Sequence, residues 1–207
     1  MSQLTLMQPC QTQERGSDST FVQQAFRQAF RRHPAGVAIL TAQTDDQPVA
    51  LTISSLISVS VSPALVAFSL SAASRSAASL LAAESFLIHF VTPADQELAA
   101  RCASSGVDRF GTAALWEPLP TGEPCFTQVE TWFRACVHKT LELESATVVT
   151  AQILEAQVMP ENAAADRHLV YCNRQWHTLD GTPEADCGNA PRQAPLGAAR
   201  GAWQFWP

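Results

Sequence analysis

Between Gln47 and Ser74, 28 consecutive residues include no Asp, Glu, Lys or Arg, and this charge-free run limits the folds open to the chain. About 20 apolar residues can cross a bilayer as a helix, so a membrane span is the first structure to test. The run fails that test because it contains eight serines and two prolines. Residues 58–62 read Ser-Val-Ser-Val-Ser, and this alternation predicts a β-strand, which cannot satisfy its backbone alone in lipid. We therefore expect a globular β protein with no membrane segment.

The amino-acid composition argues against a nucleic-acid partner. Of the 207 residues, 46% are hydrophobic, enough to bury a core, and 13 basic against 19 acidic residues give a net charge of −6. Nucleic-acid binding needs a concentrated positive surface, so we expect no nucleic-acid partner. The six cysteines form no C-x-x-C pair, and the first twenty residues lack a basic start followed by an apolar stretch. Both features predict reduced thiols and a cytoplasmic location.

The chain divides into three parts by composition. Residues 1–19 are rich in Gln, Ser and Thr and predict a flexible leader, and residues 20–180 predict one folded domain. Residues 181–207 are rich in Pro and Gly and predict a tail. The tail carries Trp-Gln-Phe-Trp at 203–206, and those aromatic residues either dock on a surface or form a frayed end.

Hydrophobic periodicity places about seven strands and three helices in the domain. The predicted helices cover residues 21–30, 74–83 and 93–103. The predicted strands cover residues 36–42, 49–60, 65–70, 86–91, 131–141, 146–158 and 168–179. A loop is expected from about 104 to 124. This pattern predicts a mainly β fold, a barrel with a few helices over its ends.

Familiar catalytic motifs are missing, and hydroxyl groups are the main polar chemistry left. The sequence has no G-x-G, P-loop, H-E-x-x-H or G-x-S-x-G pattern, and its five histidines are scattered without metal-ligand spacing. We therefore predict no metal site. The candidate binding residues lie in and just after the charge-free run: Thr52, Ser54, Ser55, Ser69, Ser71, Ser74 and Ser76, with Arg75 among them.

The start of the second predicted helix could bind a phosphate. A helix start offers unpaired N–H groups and the positive end of the dipole. Ser74, Arg75 and Ser76 add hydroxyl donors and a guanidinium there, which suits a phosphate without a glycine-rich loop. The alternative is that Ser74 only caps the helix and Arg75 is solvated.

Six segments stand in an order that resembles a known family. They are Phe26-Arg27 with His-Pro-Ala-Gly-Val-Ala-Ile-Leu-Thr at 33–41; Val-Ala-Leu-Thr-Ile-Ser-Ser at 49–55; Ser-Val-Ser at 58–60 with Pro63; Ser74-Arg75-Ser76; Asp108-Arg109-Phe110; and Tyr171 with Trp176-His177. In this order they resemble the short-chain flavin reductase family, which has the FMN-binding split-barrel fold, a Greek-key-like antiparallel barrel with flanking helices. The resemblance covers residues 21–179.

The resemblance implies a homodimer that takes hydride from NADH or NADPH onto FMN or FAD. It also implies release of the reduced flavin to a flavin-dependent monooxygenase or halogenase. No side-chain acid or base is obligatory for hydride transfer between the two rings, since the cofactors carry that chemistry. By position, Thr52, Ser54 and Ser55 would line the flavin ring and ribityl chain. Ser69 and Ser71 would lie under the flavin, and residues 74–76 would bind its phosphate.

Three positions depart from the family pattern. The flavin-loop Asn is Ser54, and an Asn after the phosphate helix falls on His89, which can still bond a flavin. The family's Gly-Asp-His, associated with nicotinamide binding, falls on Glu144-Ser145-Ala146, and this leaves His177 as the candidate on the nicotinamide side. These departures keep an alternative open: a flavin-binding split-barrel protein without free-flavin reductase activity, either a bound flavoprotein or a non-catalytic subunit.

Overall fold

The computed structural model describes residues 18–45, 47–158 and 167–180. Most of the predicted leader and all of the predicted tail, including residues 203–206, lie outside the described residues. No helix in the described ranges is long and apolar enough to cross a membrane.

The three predicted helices form, with small shifts at their ends. They are α1 (Asp18–Arg31), α2 (Arg75–Ala82) and α3 (Gln96–Ala103). Helix α1 begins two residues inside the segment assigned to the leader. A 3₁₀ turn, Pro93–Asp95, leads into α3, and Asp95 closes a capping box with Thr92, as a proline followed by an acidic residue predicts. A second 3₁₀ turn covers Ala113–Leu115.

The strands build one large sheet and two small ones. The strands are β1 (Ala35–Gly36), β2 (Ala38–Gln43), β3 (Pro48–Ile53), β4 (Ile57–Val61), β5 (Ala64–Ser71), β6 (Phe86–Phe90), β7 (Trp116–Pro118), β8 (Pro124–Phe126), β9 (Trp132–Glu142), β10 (Ala146–Gln157), β11 (Arg167–Cys172) and β12 (Gln175–Asp180). The large sheet has the order β3-β2-β6-β9-β10-β5-β4, and all of its pairings are antiparallel. Strands β1, β11 and β12 form a second sheet, and β7 pairs with β8.

The large sheet curls round one apolar core, and this makes it a split β-barrel, as predicted. Phe68, Phe86, Leu40 and Val149 come from four different strands and meet in that core, which α2 closes with Leu80. The two edge strands, β3 and β4, follow each other in the chain but are not hydrogen-bonded together.

A second core lies on the other face of β2 and β3. Ile39 of β2 and Ala50 of β3 pack there against Leu98, Ala99 and residues of the β11 strand. Strand β2 is thus buried on both faces from Ala38 to Ala42, which explains why apolar residues there do not alternate with exposed polar ones.

The predictions for three stretches of the chain were wrong. The strand predicted over 49–60 is two strands, because the chain leaves the sheet at residues 54–56. The strand predicted over 168–179 is the β11–β12 hairpin, whose turn residues Asn173 and Arg174 have φ of 52° and 62°. A two-residue turn with positive φ usually contains glycine, and Asn173-Arg174 contains none, so this turn was not predicted. The predicted loop before residue 124 contains β7.

Candidate functional site

A cavity of about 400 Å³ lies where β3 ends beside α3 and the β11–β12 hairpin. We call it the β3–α3 cavity. Its lining residues are Val37, Thr52, Ile53, Ser54, Ala100, Ala103, Ser104, Tyr171 and Trp176. Its size is within the range of small-molecule and cofactor sites, and it combines apolar and aromatic walls with a few hydroxyls, which is typical of such sites. Two of the predicted binding residues, Thr52 and Ser54, are therefore brought to one cavity.

Side-chain hydrogen bonds fix the wall of this cavity. Thr52 donates its hydroxyl to the Ala99 carbonyl of α3 at 2.7 Å, so β3 and α3 are tied together at the cavity. Ser55 donates its hydroxyl to the Ser69 carbonyl at 3.1 Å and accepts from the Ser69 N–H at 3.0 Å. The Ser55 hydroxyl thus continues the β4–β5 ladder by one step and holds the 54–56 loop against β5. The exposed Ser54 hydroxyl makes no hydrogen bond to any described residue, which leaves it available to a ligand.

The start of α2 has the features of an anion site. A turn bonds the Ser74 N–H to the Ser71 carbonyl at 3.0 Å, and the Ser74 side chain caps the helix by accepting from the Ala77 N–H at 3.2 Å. Within the described ranges, the N–H groups of Arg75 and Ser76 meet no acceptor. The first turn holds no acidic residue, so nothing of the helix's own neutralises the positive end of its dipole.

The Arg75 side chain is exposed and makes no hydrogen bond or ion pair with any described residue. Ser74 therefore caps α2, as one of the two predictions for this segment stated. Arg75 supplies a cation that no described residue pairs, as the other prediction, a phosphate site, requires. Ser76 accepts a hydrogen bond from Arg109 Nη1 at 3.0 Å. The sequence singled out Arg109 only as part of a motif and not as a site residue.

The β9–β10 turn lies beside the segment that leads into α2. The Ala72 N–H donates to the Ser145 carbonyl at 3.1 Å, and Ala146 pairs with Ser71. The residues that replace the family's Gly-Asp-His are therefore close to the proposed phosphate segment, but Ala146 brings no imidazole to it.

His89 is not brought to the cavity. It lies in β6 with none of its surface exposed, and its Nε2 is 3.0 Å from the hydroxyl of Thr41, which in turn donates to the Pro124 carbonyl. Because the imidazole is enclosed in the protein, it has no surface to offer a ligand. The sequence prediction that His89 contacts a flavin is therefore corrected to a structural role.

His177 is exposed on β12, next to Trp176. Neighbouring residues of a strand point to opposite faces, and Trp176 lines the β3–α3 cavity. The His177 side chain thus points away from this cavity, with Nε2 3.2 Å from the Cys172 carbonyl. The structure of the single chain does not bring His177 to the other predicted residues.

The donor set fits a flavin nucleotide, which combines a neutral ring and ribityl chain with a charged phosphate. The cavity wall contributes hydroxyls and the rings of Tyr171 and Trp176 but no Asp, Glu, Lys or Arg. Neutral hydroxyls suit the ring edge and ribityl chain, and the start of α2 supplies N–H groups and a cation for a phosphate.

Comparison with known proteins agrees with this chemistry. A family model described as a flavin reductase like domain matches residues 30–180, which include all the predicted binding residues. The chain belongs to this family. Its flavin reductase like domain is 36% identical over 146 residues to the NADH:FMN oxidoreductase of Rhodococcus qingshengii, and the match covers 70% of the chain and 76% of that protein.

Two further relatives are a solved structure and the reductase subunit of a monooxygenase. The crystal structure of a flavin reductase domain protein from Arthrobacter sp. FB24 superimposes on the domain with a TM-score of 0.70 and 28% identity, covering 76% of the chain and 95% of that protein. The reductase subunit HsaB of a Mycobacterium tuberculosis flavin-dependent monooxygenase is 29% identical over 99 residues, covering 48% of the chain and 52% of that protein.

Proposed function

We propose that this protein is an NAD(P)H-dependent flavin reductase that supplies reduced FMN or FAD to a partner oxygenase or halogenase. The observation that carries the proposal is the acid-free start of α2, where two N–H groups and the Arg75 side chain meet no partner among the described residues, in a chain of the flavin reductase like family. A phosphate is the group that such a helix start binds best. The activity draws on NADH or NADPH, and we place it in the cytoplasm, where both are available.

The binding roles follow from which groups are free. Ser54, beside the β3–α3 cavity, offers a hydroxyl that bonds to no residue in the described ranges, and Thr52 keeps its lone pairs after donating to Ala99. Ser55 acts indirectly, because its hydroxyl is already committed to Ser69. We propose that Ser69 and Ser71 support the flavin from β5, and that Ser74, Arg75 and Ser76 hold its phosphate.

The chain's own contribution to the reaction is binding and orientation. When bound, flavin and nicotinamide supply the hydride acceptor and donor, and the transfer needs no side-chain acid or base. Tyr171 and Trp176, whose rings are 5.0 Å apart, give the cavity an apolar wall that excludes water. The tie from Thr52 to α3 fixes the distance across the cavity, and fixed geometry is what hydride transfer between two rings requires.

We propose that the working form is a homodimer. Helix α1 exposes Phe21, Phe26 and Phe30, and the edge strand β4 exposes Ile57 and Val59. Exposed apolar patches mark interaction sites in soluble proteins, and an amphipathic helix needs a partner for its apolar face. Analytical ultracentrifugation should give twice the chain mass, and Phe26→Glu with Val59→Lys should reduce it. A monomeric mass for the wild type at micromolar protein concentration would reject the proposed homodimer.

A direct assay tests the reductase activity. Purified protein is mixed with FMN or FAD and with NADH or NADPH, and the absorbance of the nicotinamide is followed. We expect oxidation with at least one of the four pairs, and oxidation with none would reject the reductase. A protein that remains yellow through gel filtration but oxidises neither nucleotide would favour the alternative, a bound flavoprotein, for which Ala146 in place of the family's His is the supporting observation.

A second test addresses the phosphate. Arg75→Ala should weaken FMN binding by about 1.5–3 kcal/mol if the contact is charge-assisted, and it should leave binding of riboflavin, which lacks the phosphate, unchanged. Arg27→Ala, on the exposed surface of α1, is the control for loss of one positive charge. Unchanged FMN affinity in Arg75→Ala would mean that Arg75 is only a solvated surface residue and does not bind the phosphate.

A further inference from the structure

We infer that Arg109 is a positioning residue of the phosphate site, one that makes the protein prefer phosphorylated flavins to riboflavin. The inference rests on the proposed function and assigns a residue that lies 33 positions from its partner in α2. Arg109 lies in the loop after α3, and its guanidinium spans the space between the end of α3 and the start of α2.

The hydrogen bonds of Arg109 join the two helices. Nη2 donates to the carbonyl of Ser104, the residue that caps the C-terminus of α3, at 2.8 Å, and Nη1 donates to the Ser76 hydroxyl at 3.0 Å. Ser104 also lines the β3–α3 cavity. One side chain therefore connects the wall of the proposed ring cavity with the proposed phosphate site.

The contact with Ser76 determines which role the hydroxyl still has open. A guanidinium can only donate hydrogen bonds, so the Ser76 oxygen accepts from Arg109 and its own O–H stays free to donate. Ser76 is the second residue of α2, where the backbone N–H also meets no acceptor among the described residues. Arg109 thus leaves the Ser76 O–H available as a donor at the helix start where an anion would bind.

The charge of Arg109 is incompletely balanced. No carboxylate lies within ion-pair distance of it in the part of the chain that the structure describes, and neighbouring Asp108 instead accepts from the Phe110 N–H at 2.9 Å. Its Nε is buried and has no hydrogen-bond partner among the described residues. A buried, unpaired donor of a charged group is costly, so the described residues satisfy the guanidinium of Arg109 only in part.

The two helix ends explain which further partner would suit Arg109. The C-terminus of α3 is the negative end of a dipole and suits a cation, but the N-terminus of α2 is positive and repels one. Arg109 lies between them, so on the α2 side two positive groups face each other. An anion bound there offsets both, and the phosphate of FMN or FAD is the anion that the proposed function brings to this place.

The test measures binding and not turnover. Dissociation constants for FMN and riboflavin are obtained from quenching of flavin fluorescence for the wild type, Arg109→Gln, Arg109→Lys and Ser76→Ala. We expect Arg109→Gln to weaken FMN binding about 10- to 150-fold, the range for a charge-assisted bond, and to change riboflavin binding less than about twofold. Arg109→Lys keeps the charge but not the forked guanidinium that reaches both helices. Its dissociation constant for FMN should lie between those of the wild type and Arg109→Gln.

Controls separate this inference from simple bracing of α3. Arg101→Gln removes a positive charge from α3 itself and should leave the FMN to riboflavin preference unchanged. If Arg109 only braces the helix, Arg109→Gln weakens both flavins equally, and that result overturns the inference, as does an unchanged affinity for both. Ser76→Ala tests the same point with little risk to folding, and an unchanged preference there also counts against it. Failure of the wild type to bind either flavin would reject the proposed function instead.

Discussion

Acidification should destabilise this protein through one buried histidine. His89 is fully enclosed, with Thr41 on one side and the ring of Phe126 at 5.6 Å on another. Burial lowers the pKa of His89 from 6.5 to about 3, and the nearby Pro124 carbonyl opposes only part of this effect. The folded protein therefore keeps a neutral imidazole at pH values where the unfolded chain carries a charged one.

The sign and size of the effect follow from the two pKa values. Above pH 6.5 neither state holds the proton, so the stability does not depend on His89 there. As the pH falls from 6.5 to 3, only the unfolded state gains the proton, and the free energy of unfolding decreases by about 1.4 kcal/mol per pH unit. Between pH 7.5 and 5 the loss is about 2 kcal/mol, and carboxylates have barely begun to titrate in that window.

Urea unfolding at pH 7.5, 6.5, 5.5 and 5.0, at one protein concentration, measures this loss. His89→Gln keeps an amide donor for Thr41 but cannot take up the proton, so its stability should depend less on pH by about 2 kcal/mol over the same range. His33→Gln, at an exposed position after α1, should behave like the wild type. Parallel pH curves for the wild type and His89→Gln would refute the reasoning.

The other predictions concern the barrel core, an ion pair and two thiols. Phe68→Ala should cost about 3–5 kcal/mol of unfolding free energy in urea, because Phe68 is buried against Phe86 at 5.9 Å, whereas the half-exposed Phe90→Ala should cost much less. Burial raises the pKa of Glu123, but bonds from Ser85, Thr121 and Arg134 outweigh burial and hold it below its usual value. Arg134→Met should therefore cost about 3 kcal/mol at pH 7, and Arg134→Lys should cost less; equal stability of Arg134→Met and the wild type would contradict the role of the pair. Burial raises the pKa of Cys102 to about 12 and that of Cys125 to about 11. Mass spectrometry should find neither thiol alkylated by iodoacetamide at pH 8 until urea is added, and alkylation of Cys102 in the folded protein would contradict this.

Features set by local sequence were predictable. The capped start of α2 was predicted because a serine before an apolar, helix-forming stretch acts on N–H groups only three residues away. The proline and aspartate that open the segment before α3 are local in the same way. Hydrophobic periodicity alone indicated a barrel, and the family resemblance of the six segments then predicted the split-barrel fold.

Features that depend on tertiary contacts were not predictable. The break after β3 depends on the Ser55 hydroxyl replacing a backbone partner for Ser69, 14 residues away. His89 was taken for a ligand contact because the sequence does not show that Thr41 would meet it across β2 and β6. The contacts that Arg109 makes could not be predicted because its partners lie at the ends of two different helices.

Among the described residues, no strand pairs with the outer edge of β4, and this has a consequence for handling the protein. Strand β4 ends the sheet, exposes Ile57, Val59 and Val61, and has no charged residue within the run that surrounds it. Proteins usually protect such an edge from other chains with lysine, proline or another charge, because its free N–H and C=O groups can template aggregation. We therefore expect solubility to depend on covering β4, which the proposed homodimer would do. Variants that prevent association without adding a charge to β4 should be recovered as precipitate, and a lysine in β4 should restore soluble chains.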